Sequence, residues 1–376
     1  ELKKKIIELK SSENYKDANF KHYQDLLEKH EGIKVSYAFI YQLLTKAGFK
    51  SPKKRRRTKT HHRRKRKAQE GLLVQIDSSP FEWFGGSKKY SLHGSIDDAT
   101  GKVYGLFMTE NECLQGYFEV ARQMVNNHGI AVSFYSDQHA IFVSPLKGKL
   151  SIEEQLQGKV VNDTQFGRAM RELGINMIYA NSPQAKGRIE RLWETLQSRL
   201  PVELKLAGID NPKQANHFFQ KEYITLFNEQ FAVEAAEAEI AFRPQGNIDL
   251  NSILCVKEKR KVDSGGVFSF HGKHFQLVTE KNQLPVSTRA QITVCISNIN
   301  GIWVEYKGNI YQTVPFIKPK KTKKRKSKEP NTYKPPETHY FKKGKELAPK
   351  ISFEESNQEI LDMLAEVFLG KKENLI

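Results

Sequence analysis

The chain of 376 residues is long enough for about two to four domains, and 38% of its residues are hydrophobic. It carries a formal net charge of +18, no run near the roughly eighteen apolar residues of a membrane-spanning helix, and three widely separated cysteines. These features exclude a membrane protein. They also argue against a disulfide framework or a structural zinc site, and they fit a reducing compartment.

Residues 1–50 are predicted to be helical. Apolar residues recur at helical spacing within 20–27 and again within 39–47, with EGIKV as a short turn between the two stretches. Ser36 is a plausible N-cap of the second helix, and Gly48 is a plausible stop. The pattern predicts a helix-turn-helix domain whose second helix enters the DNA major groove. The chain begins without methionine or a signal peptide, so part of the natural N-terminus is expected to be missing.

A basic linker is predicted over 51–69. Within it, residues 53–67 hold eleven Lys or Arg and no acid, and residues 318–328 hold eight more, again with no acid. Because the whole chain has 61 basic and 43 acidic residues, these two segments carry nearly all of the excess charge. Such segments are typical of contact with DNA phosphates, although a nuclear-import signal or a solvated tail has the same composition. The predicted DNA-binding residues of the first segment are Lys53, Lys54, Arg55, Arg56, Arg57, Arg63, Arg64, Lys65 and Arg66.

Residues 70–205 follow the element order of a ribonuclease H-like α/β fold. Three antiparallel strands are predicted at GLLVQID, KYSLHGSIDD and VYGLFM, with DATGK as the turn between the last two. Strands at IAVSFYSD and INMIYA then alternate with helices at CLQGYFEVARQMVNNHG, TQFGRAMRELG and PQAKGRIERLWETLQSRL. Residues 143–162 are too long and polar for a tight connection, so they are predicted to be a surface insertion.

Three further segments complete the chain. Residues 206–262 are predicted to be a helical extension, mainly helical to 245, followed by a linker. Short β-rich runs separated by Gly and Asn predict a small β-barrel over 263–316. Residues 317–376 are predicted to hold the second basic segment and a terminal helix. The apolar stripe of this helix is expected to pack on a distant domain or on a second copy, because its nearby sequence offers no partner. The stripe consists of Ile360, Met363, Leu364, Val367 and Phe368.

Three acids occupy places where this topology converges. Asp77 is predicted at the end of the first strand, Asp137 at the end of the fourth, and Glu190 two turns into the helix after the fifth. Magnesium prefers oxygen ligands, and phosphodiester cleavage uses two divalent ions about 3.5–4 Å apart. The sequence therefore predicts these three acids as catalytic residues and metal ligands, with two Mg²⁺ or Mn²⁺ ions per site. Additional DNA contacts are predicted at Lys186, Arg188 and Arg191.

Other polar residues of this region have ordinary structural explanations. Asp97 and Asp98 end the second strand in an ordinary Asp-Asp-Ala-Thr-Gly turn, and Glu194 is expected on the helix surface. Asp163 is expected to cap the helix that begins near Thr164. Structural or core roles are expected for His93, His139 and Trp193.

The strings QIDSS, YSDQHAIF and NSPQAKGRIERLWETLQSRL resemble the three motifs of DDE transposases with an integrase-type catalytic core. With LHGSIDDATGK and GYFEVARQ, the region from about 15 to 245 resembles bacterial insertion-sequence transposases of the ISNCY type. The resemblance implies Asp77, Asp137 and Glu190 as the catalytic triad, and cleavage of transposon ends followed by joining of their 3′-hydroxyls to target DNA. Two departures exist: Gln138 and His139 stand where many integrase cores have Asn and Gly, and the insertion widens the spacing between the second and third acids.

The implied partners are double-stranded DNA, as transposon ends and as target, and further copies of the chain in a dimer or larger synaptic complex. No membrane partner is expected, and a cytoplasmic, nucleoid-associated location in a bacterium is expected. Two alternatives stay open at the level of sequence. One is a structure-selective nuclease on the same fold, which absence of the N-terminal domain would favour. The other is a catalytically inactive, transposase-derived DNA-binding protein, which loss of a triad acid would favour.

Overall fold

A computed structural model describes residues 1–52, 65–144, 163–180, 187–278, 286–318, 360 and 362–364. The chain divides into two compact units, 1–255 and 256–376. Residues 145–162 of the predicted insertion, most of both basic segments and most of the terminal helix lie outside the described ranges. No helix in the described part of the chain is long and apolar enough to cross a bilayer.

The first unit opens with three helices, α1 (Leu2–Ser11), α2 (Phe20–Glu31) and α3 (Tyr37–Lys46). Gly32 ends α2 in the left-handed conformation at φ 64°, which glycine adopts without steric cost. The Ser36 side chain accepts a hydrogen bond from the Phe39 N–H at 3.2 Å, so the predicted cap of α3 is present. The two predicted helices are therefore present, while their use as a helix-turn-helix on DNA stays a prediction.

A five-stranded mixed sheet forms the centre of the first unit. Its strands are β1 (Val74–Phe81), β2 (Tyr90–Asp97), β3 (Val103–Thr109), β4 (Ser133–Ser136) and β5 (Asn176–Tyr179), in the order β3-β2-β1-β4-β5. Strands β1 to β3 are antiparallel, whereas β4 and β5 run parallel to β1. This is the order predicted for a ribonuclease H-like core. One detail differs: β1 continues past Asp77 because the next four residues keep pairing with β2, up to Phe81 opposite Tyr90.

Helices cover the sheet and supply most of its core. They are α4 (Leu114–His128), α5 (Gln165–Glu172), α6 (Gly187–Leu206), α7 (Pro212–Phe218), a π-helical turn (Phe219–Tyr223), α8 (Ile224–Phe231) and α9 (Leu250–Ile253). The apolar side of α6 packs with Trp83, Leu106 and Phe219 in one buried cluster. Within the predicted helical extension, helices continue to residue 231, and residues 232–245 form no helix.

The second half of α6 packs against the N-terminal helices. Val202 belongs to the same buried cluster as the apolar residues of α1, α2 and α3. Two polar contacts cross this interface: the His22 Nε2 lies 2.9 Å from a Glu203 carboxylate oxygen, and Arg199 donates to Asp25 at 2.8 Å. One long helix thus carries Glu190 near its start and supports the N-terminal helices near its end.

The second unit is a six-stranded antiparallel sheet. Its strands are β6 (Val256–Lys261), β7 (Val267–Phe270), β8 (Lys273–Leu277), β9 (Gln291–Ser297), β10 (Gly301–Tyr306) and β11 (Asn309–Pro315), in the order β6-β9-β10-β11-β8-β7. The outer strands β6 and β7 also contact each other, so the sheet is nearly closed, as the predicted barrel requires. It begins earlier than predicted, because β6 lies in the segment that the sequence placed in the linker. In the terminal helix, Met363 and Leu364 are buried within the single chain.

Candidate active site

Asp77 and Asp137 lie at the same level on neighbouring parallel strands. The last paired residues of β1 and β4 are Gln75 and Tyr135, and the two aspartates follow these residues by two positions each. Paired positions of parallel strands point to one face, and neighbouring strands lie about 4.8 Å apart. Asp137 is further held by the His139 N–H, which donates to its Oδ1 at 2.9 Å. The register thus directs two half-buried carboxylates to one face of the sheet.

Helix α6 packs on β1 beside Asp77. The Ile189 N–H donates to Gln75 Oε1 at 3.1 Å, and Trp193 Nε1 donates to Asp77 Oδ2 at 3.4 Å. Gln75 and Asp77 are two residues apart in β1 and therefore share a face. Glu190 lies between the two contacting residues of the helix and is exposed. The described part of the helix begins at Gly187, three residues before Glu190.

A glycine in β2 makes room for the indole that contacts Asp77. Gly94 is the cross-strand partner of Asp77. A Cβ on Gly94 would lie 2.8 Å from Trp193 Cη2 and 3.1 Å from Leu106 Cδ2, closer than ordinary van der Waals contact. Trp193 is 7% exposed and belongs to the core, as the sequence predicted, but its ring nitrogen also reaches the candidate site.

A buried polar network lies behind the two aspartates. The fully buried Gln75 donates from Nε2 to Asp98 Oδ1 at 3.0 Å, and the Lys67 N–H donates to Asp98 Oδ2 at 2.9 Å. Arg188 Nε lies 3.8 Å from the same carboxylate, so its largely covered guanidinium is directed toward Asp98. Asp97 has the turn role predicted for it, accepting hydrogen bonds from the Thr100 N–H and hydroxyl, and burial raises its pKa. The sequence did not predict that Asp98 links Gln75 of β1 to Arg188 of α6.

A second polar group adjoins Asp137. Tyr117 donates its hydroxyl to Glu112 Oε1 at 2.5 Å, and His139 Nδ1 lies 3.9 Å from the same oxygen. Burial raises the pKa of Tyr117 well above its usual value, so this hydroxyl keeps the proton that it donates. No pattern in the sequence indicates Glu112, because its neighbours come from α4 and from the loop after β4.

His93 has the structural role predicted for it. It is cross-strand from Ser78 and therefore faces away from Asp77. Its Nδ1 lies 3.2 Å from the Phe107 carbonyl, and its Nε2 accepts from the Cys113 N–H at 3.2 Å. Full burial lowers the pKa of His93 to about 4, so the ring is neutral and held within the core.

The remaining predicted residues fall into four groups. Thr164, not Asp163, caps α5 by accepting from the Gly167 N–H at 3.0 Å, while Asp163 pairs with Arg171 at 3.2 Å. Arg66 donates to the Ala99 carbonyl at 2.8 Å and so contacts the core. Exposed positions are occupied by Lys65, Arg191 and Glu194. The predicted DNA-binding residues that lie outside the described ranges are Lys53, Lys54, Arg55, Arg56, Arg57, Arg63, Arg64 and Lys186.

The three predicted acids have the chemistry of a divalent-ion site, but their side chains do not converge on one point in the structure. Asp77, Asp137 and Glu190 offer only carboxylate oxygens, which suit Mg²⁺ and Mn²⁺. Across the described ranges, no three His, Cys, Asp or Glu side chains converge closely enough to hold a metal ion. The structure thus places two carboxylates at one level of adjacent strands and the third on the helix that contacts both strand residues Gln75 and Asp77.

Comparison with known proteins identifies similar transposases. The chain is 32% identical over 382 residues to the transposase for insertion sequence IS1202 of Streptococcus pneumoniae, covering 91% of this chain and 80% of that protein. It is 37% identical over 261 residues to the protein y4bF of Sinorhizobium fredii, whose name describes a transposase, covering 69% of this chain and 54% of that protein. No protein-family model matches the chain.

Solved structures of retroviral proteins also show similarity. A chain of the simian T-cell lymphotropic virus intasome in complex with a PP2A regulatory subunit has a TM-score of 0.32 and 13% identity, covering 78% of this chain and 92% of that chain. The HTLV-2 integrase catalytic core domain in complex with magnesium has a TM-score of 0.27 and 16% identity, covering 40% and 82%.

Proposed function

This chain belongs to the insertion-sequence transposases, and we propose that it cleaves the ends of its element and joins their 3′-hydroxyls to target DNA by two-metal-ion phosphoryl transfer. The observation that carries the proposal is the register of β1 and β4: Gln75 pairs with Tyr135, and Asp77 and Asp137 each follow two residues later. The contacts of α6 with Gln75 and Asp77 support Glu190 as the third member, because they hold the helical turn that carries Glu190 against β1.

In this proposal Asp77, Asp137 and Glu190 hold two Mg²⁺ or Mn²⁺ ions. When bound, such ions activate the attacking oxygen and stabilise the leaving oxygen. Asp77 lies within β1 and Asp137 directly follows β4, whereas the Glu190 side chain is exposed on α6. Trp193 holds the Asp77 carboxylate, and the backbone N–H of His139 holds that of Asp137. Arg191, exposed beside Glu190, supplies positive charge for a DNA phosphate.

DNA recognition is assigned to the N-terminal helices and the basic segments. Helix α3 exposes Tyr37 at 43% and Tyr41 at 42%, together with Gln42 and Thr45, which gives it a polar and aromatic face of the kind that contacts base edges. The basic segments 53–67 and 318–328 contact the phosphate backbone and strengthen binding to DNA of any sequence. The proposed partners are thus transposon-end and target DNA, bound by a dimer or larger synaptic complex in the bacterial cytoplasm at the nucleoid.

A strand-joining assay tests this function. The full chain is incubated with Mg²⁺, a labelled duplex carrying the element's own end, and a supercoiled target, and cleavage and joining are scored separately. The proposal requires both products, and chelation of the metal should remove both. Cleavage without joining indicates the nuclease alternative, and binding without cleavage indicates an inactive DNA-binding derivative.

A further inference from the structure

We propose that Gln75 is a positioning residue that holds Glu190 beside Asp77, an inference that rests on the proposed function. Its side chain connects the three parts of the chain that build the site. It lies in β1 two residues before Asp77, donates to Asp98 in the turn between β2 and β3, and accepts from Ile189 next to Glu190.

Gln75 connects the start of the described part of α6 to β1. The N–H of Ile189, the third described residue of this helix, donates to Gln75 Oε1 at 3.1 Å. This contact fixes the height of the helix above β1 at Ile189. Because Glu190 is the next residue, this height also sets where its carboxylate can reach.

Asp98 fixes which way the Gln75 amide points. A carboxylate only accepts hydrogen bonds, so the amide must turn its NH₂ group toward Asp98 and its oxygen toward Ile189. Asp98 is itself held by the Lys67 N–H and by Arg188, the residue before Ile189. Gln75 and Asp98 are both 0% exposed, so water cannot replace either contact. The network is thus a rigid support behind the metal ligands rather than a set of surface contacts.

Gln75→Met tests this inference because methionine keeps the shape of the side chain and removes both hydrogen bonds. The measurement is Mn²⁺ affinity of the full-length protein, determined from the electron paramagnetic resonance signal of free Mn²⁺. Loss of a residue that orients a metal ligand commonly weakens metal affinity about 10- to 100-fold, and this is the expected effect. An affinity equal to that of the wild type would overturn the inference.

Gln123→Met is the matched control. Gln123 is also a buried glutamine, and it makes two backbone contacts with Leu106 of β3, at 3.0 and 3.1 Å. Its replacement likewise removes two buried amide hydrogen bonds, but from a strand that carries none of the three carboxylates. The control should lose stability and keep its Mn²⁺ affinity. If both variants lose affinity equally, Gln75 acts through general stability and the inference is wrong.

A reciprocal exchange covers the case in which Gln75→Met fails to fold. Gln75→Glu alone sets two carboxylates against each other and should weaken Mn²⁺ binding. Adding Asp98→Asn restores the contact between positions 75 and 98 with reversed polarity, because the new amide can donate to the new carboxylate while its oxygen still accepts from the Lys67 N–H. The Ile189 N–H keeps an acceptor oxygen at position 75 in both variants. Recovery of Mn²⁺ affinity in the double variant supports positioning by Gln75, and no recovery overturns it. Asp77→Asn tests the proposed metal site separately from the positioning role of Gln75. If this variant binds Mn²⁺ as the wild type does, the proposed metal site itself is wrong.

Discussion

Gly94→Ala should damage the candidate site through Trp193. The added Cβ would lie 2.8 Å from Trp193 Cη2, whereas ordinary contacts begin near 3.4 Å. Leu106 Cδ2 at 3.1 Å blocks movement of the methyl group on a second side. The indole must therefore shift. This shift would disturb the 3.4 Å hydrogen bond from Trp193 to Asp77 and the position of α6 on the sheet. Overpacking of this kind costs about 1–3 kcal/mol of unfolding free energy, and a displacement near 1 Å at a reacting centre can cost about a hundredfold in rate.

Two measurements test this prediction. Denaturant unfolding gives the loss of stability, and single-turnover joining of a pre-cleaved end, at saturating DNA, gives the loss of rate. Gly86→Ala is the control, because a Cβ there meets nothing within 4 Å. Combining Gly94→Ala with Trp193→Phe should recover stability but not the full rate, since phenylalanine makes room and lacks the ring N–H. Wild-type joining by Gly94→Ala alone would refute the role given to Trp193.

Three further predictions concern regions away from the carboxylates. Replacing the Lys and Arg of 53–67 by Ser or Gln should weaken binding to all DNA and reduce the slope of log affinity against log salt; an unchanged slope would show that the segment is a tail. Burial lowers the pKa of His22 below its ordinary 6.5, so His22 binds a proton more readily in the unfolded chain than in the folded one. The free energy of unfolding should therefore fall as the pH drops below about 6.5. Thermal melts from pH 8 to 5 check this, and His22→Gln should lose less stability over that range than the wild type. Met363 and Leu364 of the terminal helix are already buried within a single chain, and the helix is predicted to join copies of the chain as well. Deleting 350–376 should therefore lower the mass of the end-bound complex in light scattering, whereas an unchanged mass would confine the helix to packing within one chain.

The strand order and the placement of two acids could be predicted because they depend on local patterns. Alternation and turn residues locate β2 and β3, and an acid at a strand end locates Asp137 directly after β4. Asp77 was placed at the end of β1, but the following Ser-Ser-Pro-Phe has enough pairing with β2 to extend the strand. The register of β1 and β4 nevertheless aligns the two aspartates, because relative level depends on pairing and not on strand length.

The supporting residues could not be predicted because their roles arise from contacts between distant parts of the chain. In the sequence, Gln75 is one residue of a predicted buried strand. Only the fold brings Ile189 and Asp98, its two hydrogen-bond partners, close to it. Strand β6 was missed because five of its six residues are charged, so it lacks the apolar alternation that marks a strand. Asp163 and Thr164 are equally good capping residues by type, and backbone geometry alone decides for threonine.

The most direct test of the proposed catalytic site is strand joining by Asp77→Asn, Asp137→Asn and Glu190→Gln. Each change removes one charged oxygen ligand at nearly constant volume, so folding and end binding should survive while joining with Mg²⁺ is abolished. Glu194→Gln, an exposed position one turn further along α6, is the matched control and should join as the wild type does. No joined product is expected from any of the three variants in a single-turnover assay with bound end DNA. Measurable joining by one of them would remove that residue from the catalytic site.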